Sequence, residues 1–120
     1  MSSREWFMLD VRSGDPEALV ARLFAAGFDA FFPKIRSNAV LPGYVLVNTD
    51  PDLEEPELQH CVCSAQFVTN EGNRPMCIPS GVAKALRSPK SELCNTLAVM
   101  APEYRLDSLR HWFHPAAIRP

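Results

Sequence analysis

The sequence predicts an α+β protein, a small and mostly antiparallel sheet with helices packed on one face, followed by a helical tail. Three observations predict this. Strand-like and helix-like segments follow in the order β-α-β-β-α-β-α, without the strict repeat of a parallel sheet. Two segments, 5–12 and 43–48, are strands with apolar residues on both faces. From Ser88 onward, apolar residues recur at helical spacing, with neither the alternation nor the glycine-rich turns of a second β-domain. The division that follows is one domain over 1–88 and a tail over 89–120.

Each element has its own local reason. In strand 5–12, Phe7, Leu9 and Val11 point one way, and Trp6 and Met8 the other. A helix then starts by the rules, with Asp15 as N-cap, Pro16 at the first helical position and Glu17 in the first turn. Leu19, Val20, Leu23 and Phe24 form its expected apolar stripe, and Gly27 is placed to end it. Residues 28–32 form a second strand stopped by Pro33, and 34–38 read as a short polar connection with two cations. After the Pro42-Gly43 turn signal, strand 43–48 places Val45 and Val47 on one side and Tyr44 and Leu46 on the other. An acidic stretch follows, in which Leu53 and Leu58 are the large apolar residues, with a short helix expected over 55–61. Residues 65–69 are expected as a strand, 70–73 as a turn and 76–78 as a brief extended segment. Pro79-Ser80 begins a helix to Arg87 that turns Val82, Ala83 and Leu86 inward. In the tail, Leu93, Leu97 and Met100, then Leu106, Leu109, Trp112 and Phe113, carry helical spacing.

Composition narrows the function. At 120 residues the chain supports one modest core, and 47% hydrophobic with 22% charged residues is ordinary for a globular domain. No apolar run reaches membrane-span length and the start lacks a signal pattern, so a cytoplasmic location is expected. In that setting Cys61, Cys63, Cys77 and Cys94 are expected as free thiols, and their spacing fits no zinc pattern. The acidic group Asp50, Asp52, Glu54 and Glu55 lacks calcium-loop spacing and reads as a solvated face. His60, His111 and His114 fall in separate elements, and no serine or cysteine has an activating neighbour. Neither an enzyme nor a cofactor nor a small-molecule substrate is expected. The net charge of −2 argues against a self-sufficient nucleic-acid binder. A short chain covers one sheet face well, so the second apolar face either meets a partner or lies under another segment.

An ordered series of residues also resembles a known family. Trp6-Phe7-Met8-Leu9 with Arg12 and Gly14, then the run from Gly27 through Phe28, Phe31, Phe32 and Pro33 to Ile35, then Leu41-Pro42-Gly43-Tyr44-Val45-Leu46-Val47, then Gln66-Phe67-Val68 and Ile78-Pro79, look like the N-terminal (NGN) domain of NusG-type transcription factors. The resemblance covers residues 5 to about 88. It implies a bacterial elongation or antitermination factor that docks an apolar sheet surface on the clamp helices of the largest RNA polymerase subunit. It also implies contact with the non-template DNA strand and suppression of pausing or termination. By position, Leu41, Tyr44, Leu46 and Phe67 match the polymerase-facing surface. Phe67 and Leu46 fit the core equally, and Trp6, which matches a family tryptophan, fits core or contact. Arg12, Arg22, Lys34 and Arg36 lie where relatives carry DNA-approaching cations, with Arg12, Lys34 and Arg36 as a candidate patch.

The sequence departs from the family in three places. The connection from Pro33 to Pro42 is shorter than the basic hairpin relatives often carry, so DNA contact is expected to be weak and confined to the polymerase complex. Leu53-Glu54-Glu55-Pro56 is acidic where specialised relatives place hydroxyl-bearing and histidine residues. The segment 89–120 is not expected to form the family's KOW barrel, so the ribosomal and termination partners of that barrel are not assigned. The tail is expected to form one or two helices that pack back on the domain, either as ordinary core or over Trp6, Tyr44 and Leu46. The competing functional reading is a protein-binding regulator that occupies the clamp site and blocks the housekeeping factor without promoting elongation.

Overall fold

The computed structural model describes residues 4–11, 14–35, 38–50, 54, 58, 65–69 and 72–113, the last three without their side chains. The class is α+β, as expected. The elements are β1 (Glu5–Asp10), α1 (Pro16–Ala25), β2 (Asp29–Phe31), β3 (Lys34–Ile35), β4 (Asn38–Ala39), β5 (Tyr44–Thr49), β6 (Gln66–Phe67), β7 (Cys77–Ile78), α2 (Ser80–Arg87), α3 (Glu92–Ala98) and α4 (Pro102–Phe113). No helix among the described residues is long and apolar enough to cross a membrane. The contacts gather the chain into two compact units, one from 1–32 and 43–78, the other from 33–42 and 79–120. The units interleave in sequence, whereas the sequence reading divides the chain once, near 88.

The first unit is built on β1. It pairs antiparallel with β5 along its whole length, from Glu5 opposite Thr49 to Asp10 opposite Tyr44. Its other edge carries β7 at Trp6 and Phe7 and β6 at Leu9 and Asp10, while β2 pairs with the far edge of β5. Every one of these pairings is antiparallel. One face of the sheet joins α1 in a single apolar core of Phe7, Leu9, Val11, Leu19, Leu23, Phe28, Ala30, Val45, Val47 and Leu58. Continuous burial of this kind is the main favourable term in folding the unit.

Helix α1 begins and ends by the chemistry legible in its sequence. The Asp15 side chain accepts the Glu17 N–H at 3.0 Å, and Pro16 occupies the first turn. At the other end Gly27 has φ +95°, and the Phe28 and Gly27 N–H groups return to the Leu23 and Phe24 carbonyls at 2.9 and 3.0 Å. This is a Schellman stop, and its left-handed position favours glycine. Phe24, expected on the buried stripe, is instead 53% exposed. Leu19 and Leu23 already fill the narrow arc that faces the sheet, and Phe24 lies about 100° round the helix from Leu23. Most of the helix expected over 55–61 lies outside the described residues, although Leu58 is helical and fully buried.

The second unit contains one clear departure from expectation. The stretch 34–38, read as a connection, belongs to a hairpin in which Lys34 pairs with Ala39 and Ile35 with Asn38. The Val40 N–H closes it on the Pro33 carbonyl at 2.9 Å. Arg36 and Ser37, between the paired residues, supply neither glycine nor asparagine, so the usual hairpin signal is missing. The three helices of this unit are joined by side chain to backbone bonds. The Ser91 hydroxyl accepts the Cys94 N–H at 3.1 Å, capping α3, and donates to the Ala85 carbonyl of α2 at 2.6 Å. Buried Cys94 lies 3.3 Å from the same carbonyl through its thiol. Among the described side chains, Ala83, Leu86, Leu93, Leu97 and Leu109 are buried in these helices together with Cys94. Val82, expected inward with Ala83 and Leu86, is half-buried.

Candidate functional site

Strand alternation decides which candidate residues share a surface. Trp6, Met8 and Asp10 of β1 lie opposite Asn48, Leu46 and Tyr44 of β5, on the face away from the apolar core of the first unit. Phe31 of β2 is opposite Leu46 and joins the same face. The Trp6 and Phe31 rings meet edge to face, with centroids 5.3 Å apart and planes at 70°. Trp6, Phe31 and Tyr44 are half-buried, whereas Met8 and Leu46 are fully buried. The face thus offers three aromatics, and Leu46 presents no surface in this conformation.

Phe67 stands elsewhere. It is the register partner of Leu9, so it lies on the core face, where its ring meets Phe7 edge to face with centroids 5.9 Å apart. Of the two readings open for Phe67, core or contact, the geometry places it against the core. Leu41 belongs to the second unit and is 1% exposed. Within the first unit, Phe67 therefore lies on the sheet face opposite to the one that carries Trp6, Tyr44 and Leu46. Trp6, Tyr44 and Leu46 share a face, and Phe31 is a member of it that the sequence reading missed. Its signal was present in the alternation of 28–32, but the identity of the facing strand came only from the pairing.

Two of the four cationic candidates lie among the described residues. Arg22 is exposed on α1 in the first unit, and Lys34 is half-buried on β3 in the second. Arg12 and Arg36 lie outside the described residues, and with them the patch expected from Arg12, Lys34 and Arg36.

The best-defined polar cluster joins the start of β1 to the acidic stretch. Arg4 Nε donates to both Glu54 carboxylate oxygens at 3.1 Å, and Nη1 donates to the Gly27 carbonyl at 3.2 Å. The guanidinium carbon lies 5.3 Å from the centre of the Phe28 ring. Glu54 Oε1 also accepts the Thr49 hydroxyl at 3.1 Å and the Asp50 N–H at 2.8 Å. The Arg4 bonds, with the help of the Asp50 and Thr49 donors, hold the Glu54 carboxyl below its usual range, and the same pair raises Arg4. This arrangement uses Glu54 as a structural acceptor, with its oxygens committed to groups of the same unit.

Cys77 is exposed, and its thiol lies 3.1 Å from Glu5 Oε2. Partial desolvation of the sulfur first, and then the Glu5 bond and charge, push the thiol up to about 11. A thiol held neutral is a weak nucleophile, the opposite of an activated cysteine. Among the described residues, no group of three or more His, Cys, Asp and Glu side chains is placed to hold a metal ion.

No protein-family model matches the chain, and no curated protein matches it either.

Proposed function

We propose that this chain is a transcription elongation or antitermination factor of NusG N-terminal type. In this reading it binds RNA polymerase at the clamp helices of the largest subunit and suppresses pausing or termination. The observation that carries the reading is the sheet face on which Trp6 and Tyr44, two residues of the family-like series, lie half-buried beside Phe31. Aromatics with a polar tip suit an interface that is apolar at its centre and wet at its edge. Leu41 and Leu46 join the interface only in a conformation that uncovers them, and affinity is then reduced by the fraction of molecules in that conformation. Phe67 contributes by supporting the sheet from its core face.

Contact with non-template DNA is weak in this proposal and depends on polymerase, because a net charge of −2 leaves few phosphates to be neutralised. Arg12, Arg22, Lys34 and Arg36 are its candidate cations. The factor acts in the cytoplasm, where polymerase is, without a membrane, metal, cofactor or small-molecule substrate.

The same net charge favours a second reading, a regulator that occupies the clamp site and competes with the housekeeping factor. Both readings require retention of the protein by purified core RNA polymerase, and failure of that pull-down removes both. A single-round elongation assay separates them. Shortened pauses support the factor, while unchanged pauses with loss of the housekeeping factor's effect support the competitor.

A further inference from the structure

The β3–β4 hairpin is too short to hold itself in place. Among the described residues its ladder consists of two paired positions and the Val40 to Pro33 bond, and an isolated two-stranded hairpin is at best marginal in water. Val40 and Leu41, directly after β4, are fully buried, and a side chain from the helices some sixty residues on also ties the hairpin down. Arg105, half-buried on α4, donates from Nη1 to the Ala39 carbonyl at 3.2 Å and the Val40 carbonyl at 2.9 Å. Its Nε donates to the Met100 carbonyl at 3.1 Å, and Nη2 to the Ala98 carbonyl at 3.2 Å. Four bonds from one planar group therefore span the hairpin on one side and the end of α3 on the other.

The chemistry of the group makes this an all-or-none contact. A guanidinium presents its donors in a fixed fork, so the bonds to 39 and 40 and those to 98 and 100 are satisfied together only when both segments are in place. Each is a charge-assisted bond to a carbonyl oxygen, stronger than a neutral one. The Ala98 and Met100 oxygens lie at the C-terminal end of α3, where the aligned peptide dipoles favour a cation. Val99, between these two acceptors, is 86% exposed, so the latch sits at the surface and not within a sealed core.

We infer that Arg105 is a latch that sets the β3–β4 hairpin from the C-terminal helices, so that breaking the fork loosens β3 and β4 even though Val40 and Leu41 are buried at its end. Lys34 is carried on that hairpin, so breaking the fork loosens the strand that bears it. The inference does not rest on the polymerase reading, because it is read on the free protein.

The test is hydrogen exchange on the full chain with Arg105→Gln and Arg105→Lys. Lysine keeps the charge and the helical position but loses the fork. In both variants, exchange across 33–42 should quicken by about tenfold or more, the loss expected when charge-assisted bonds are removed. Strands β1 and β5 should be unchanged. Trypsin cleavage after Lys34 should accelerate relative to cleavage after Arg22, in step with the exchange. Unchanged exchange over 33–42 in both variants overturns the latch. If the glutamine variant loosens α3 and α4 as well, the lysine variant decides. Release of 33–42 with the helices intact supports the latch, and collapse of the helices even with lysine overturns it, since Arg105 would then hold the whole unit.

Discussion

In the first unit, β1 and β5 are six residues each and pair along their full length, and one face of their sheet closes on α1 with an unbroken apolar core. In the second, the strands are two residues each, and its segments are joined by bonds from Arg105 and Ser91 to backbone carbonyls. Short elements and long ones are stabilised in different ways. A long strand pair brings its own ladder and buries area in proportion to its length. A short hairpin or a seven-residue helix cannot, so polar side chains must satisfy its ends. The first unit should therefore yield mainly to loss of volume, whereas the second, which also buries Leu86, Leu93, Leu97 and Leu109, should in addition be sensitive to loss of single donors or acceptors.

The largest loss of stability is expected at the centre of β1. Leu9 is fully buried, and Leu9→Ala should cost about 2–5 kcal/mol in urea unfolding, through lost burial and the cavity left behind. A cost below about 1 kcal/mol would mean that the sheet core is not what stabilises the first unit.

The opposite face should behave differently, because Tyr44 is half-buried. Tyr44→Ala should weaken binding to core polymerase by about 1–3 kcal/mol, the range of an aromatic anchor, with the circular dichroism spectrum preserved. Unchanged affinity with an intact fold would remove Tyr44 from the interface.

In the second unit, Ser91→Ala removes the α3 cap and the bond to Ala85 together. The expected loss is about 1–2 kcal/mol, read as faster amide exchange in α3 with β1 and β5 unaffected. Equal loosening of the sheet would erase the contrast between the units.

The smallest effect belongs to the Arg4–Glu54 pair, which is partly exposed and worth about 1 kcal/mol or less. The folded state holds Glu54 below its ordinary value of 4.5. Its contribution is therefore complete above that value and fades as pH falls through the lower, folded one. Wild type should lose stability relative to Glu54→Gln as pH drops below about 4.5. Parallel stability curves for the two proteins would show that the pair is not coupled to folding.

What the sequence determined by itself was local. Asp15, Pro16 and Gly27 set both ends of α1 because caps and left-handed stops act within a few residues. The alternation in 5–12 and 43–48 marked Leu9 and Val47 for one face and Leu46 and Tyr44 for the other, since the pleat has a period of two. The spacing of Leu93, Leu97 and Leu109 marked a helical tail by the same kind of rule. Tertiary structure alone decided the rest. Phe67 and Tyr44 fall on opposite faces because register, which no local pattern encodes, seats Phe67 beside Leu9. Arg105 acquires its role from the carbonyls of residues 39 and 40. Backbone oxygens are present at every position, so a contact with them leaves no mark in the sequence, and only the approach of distant segments selects which ones are used.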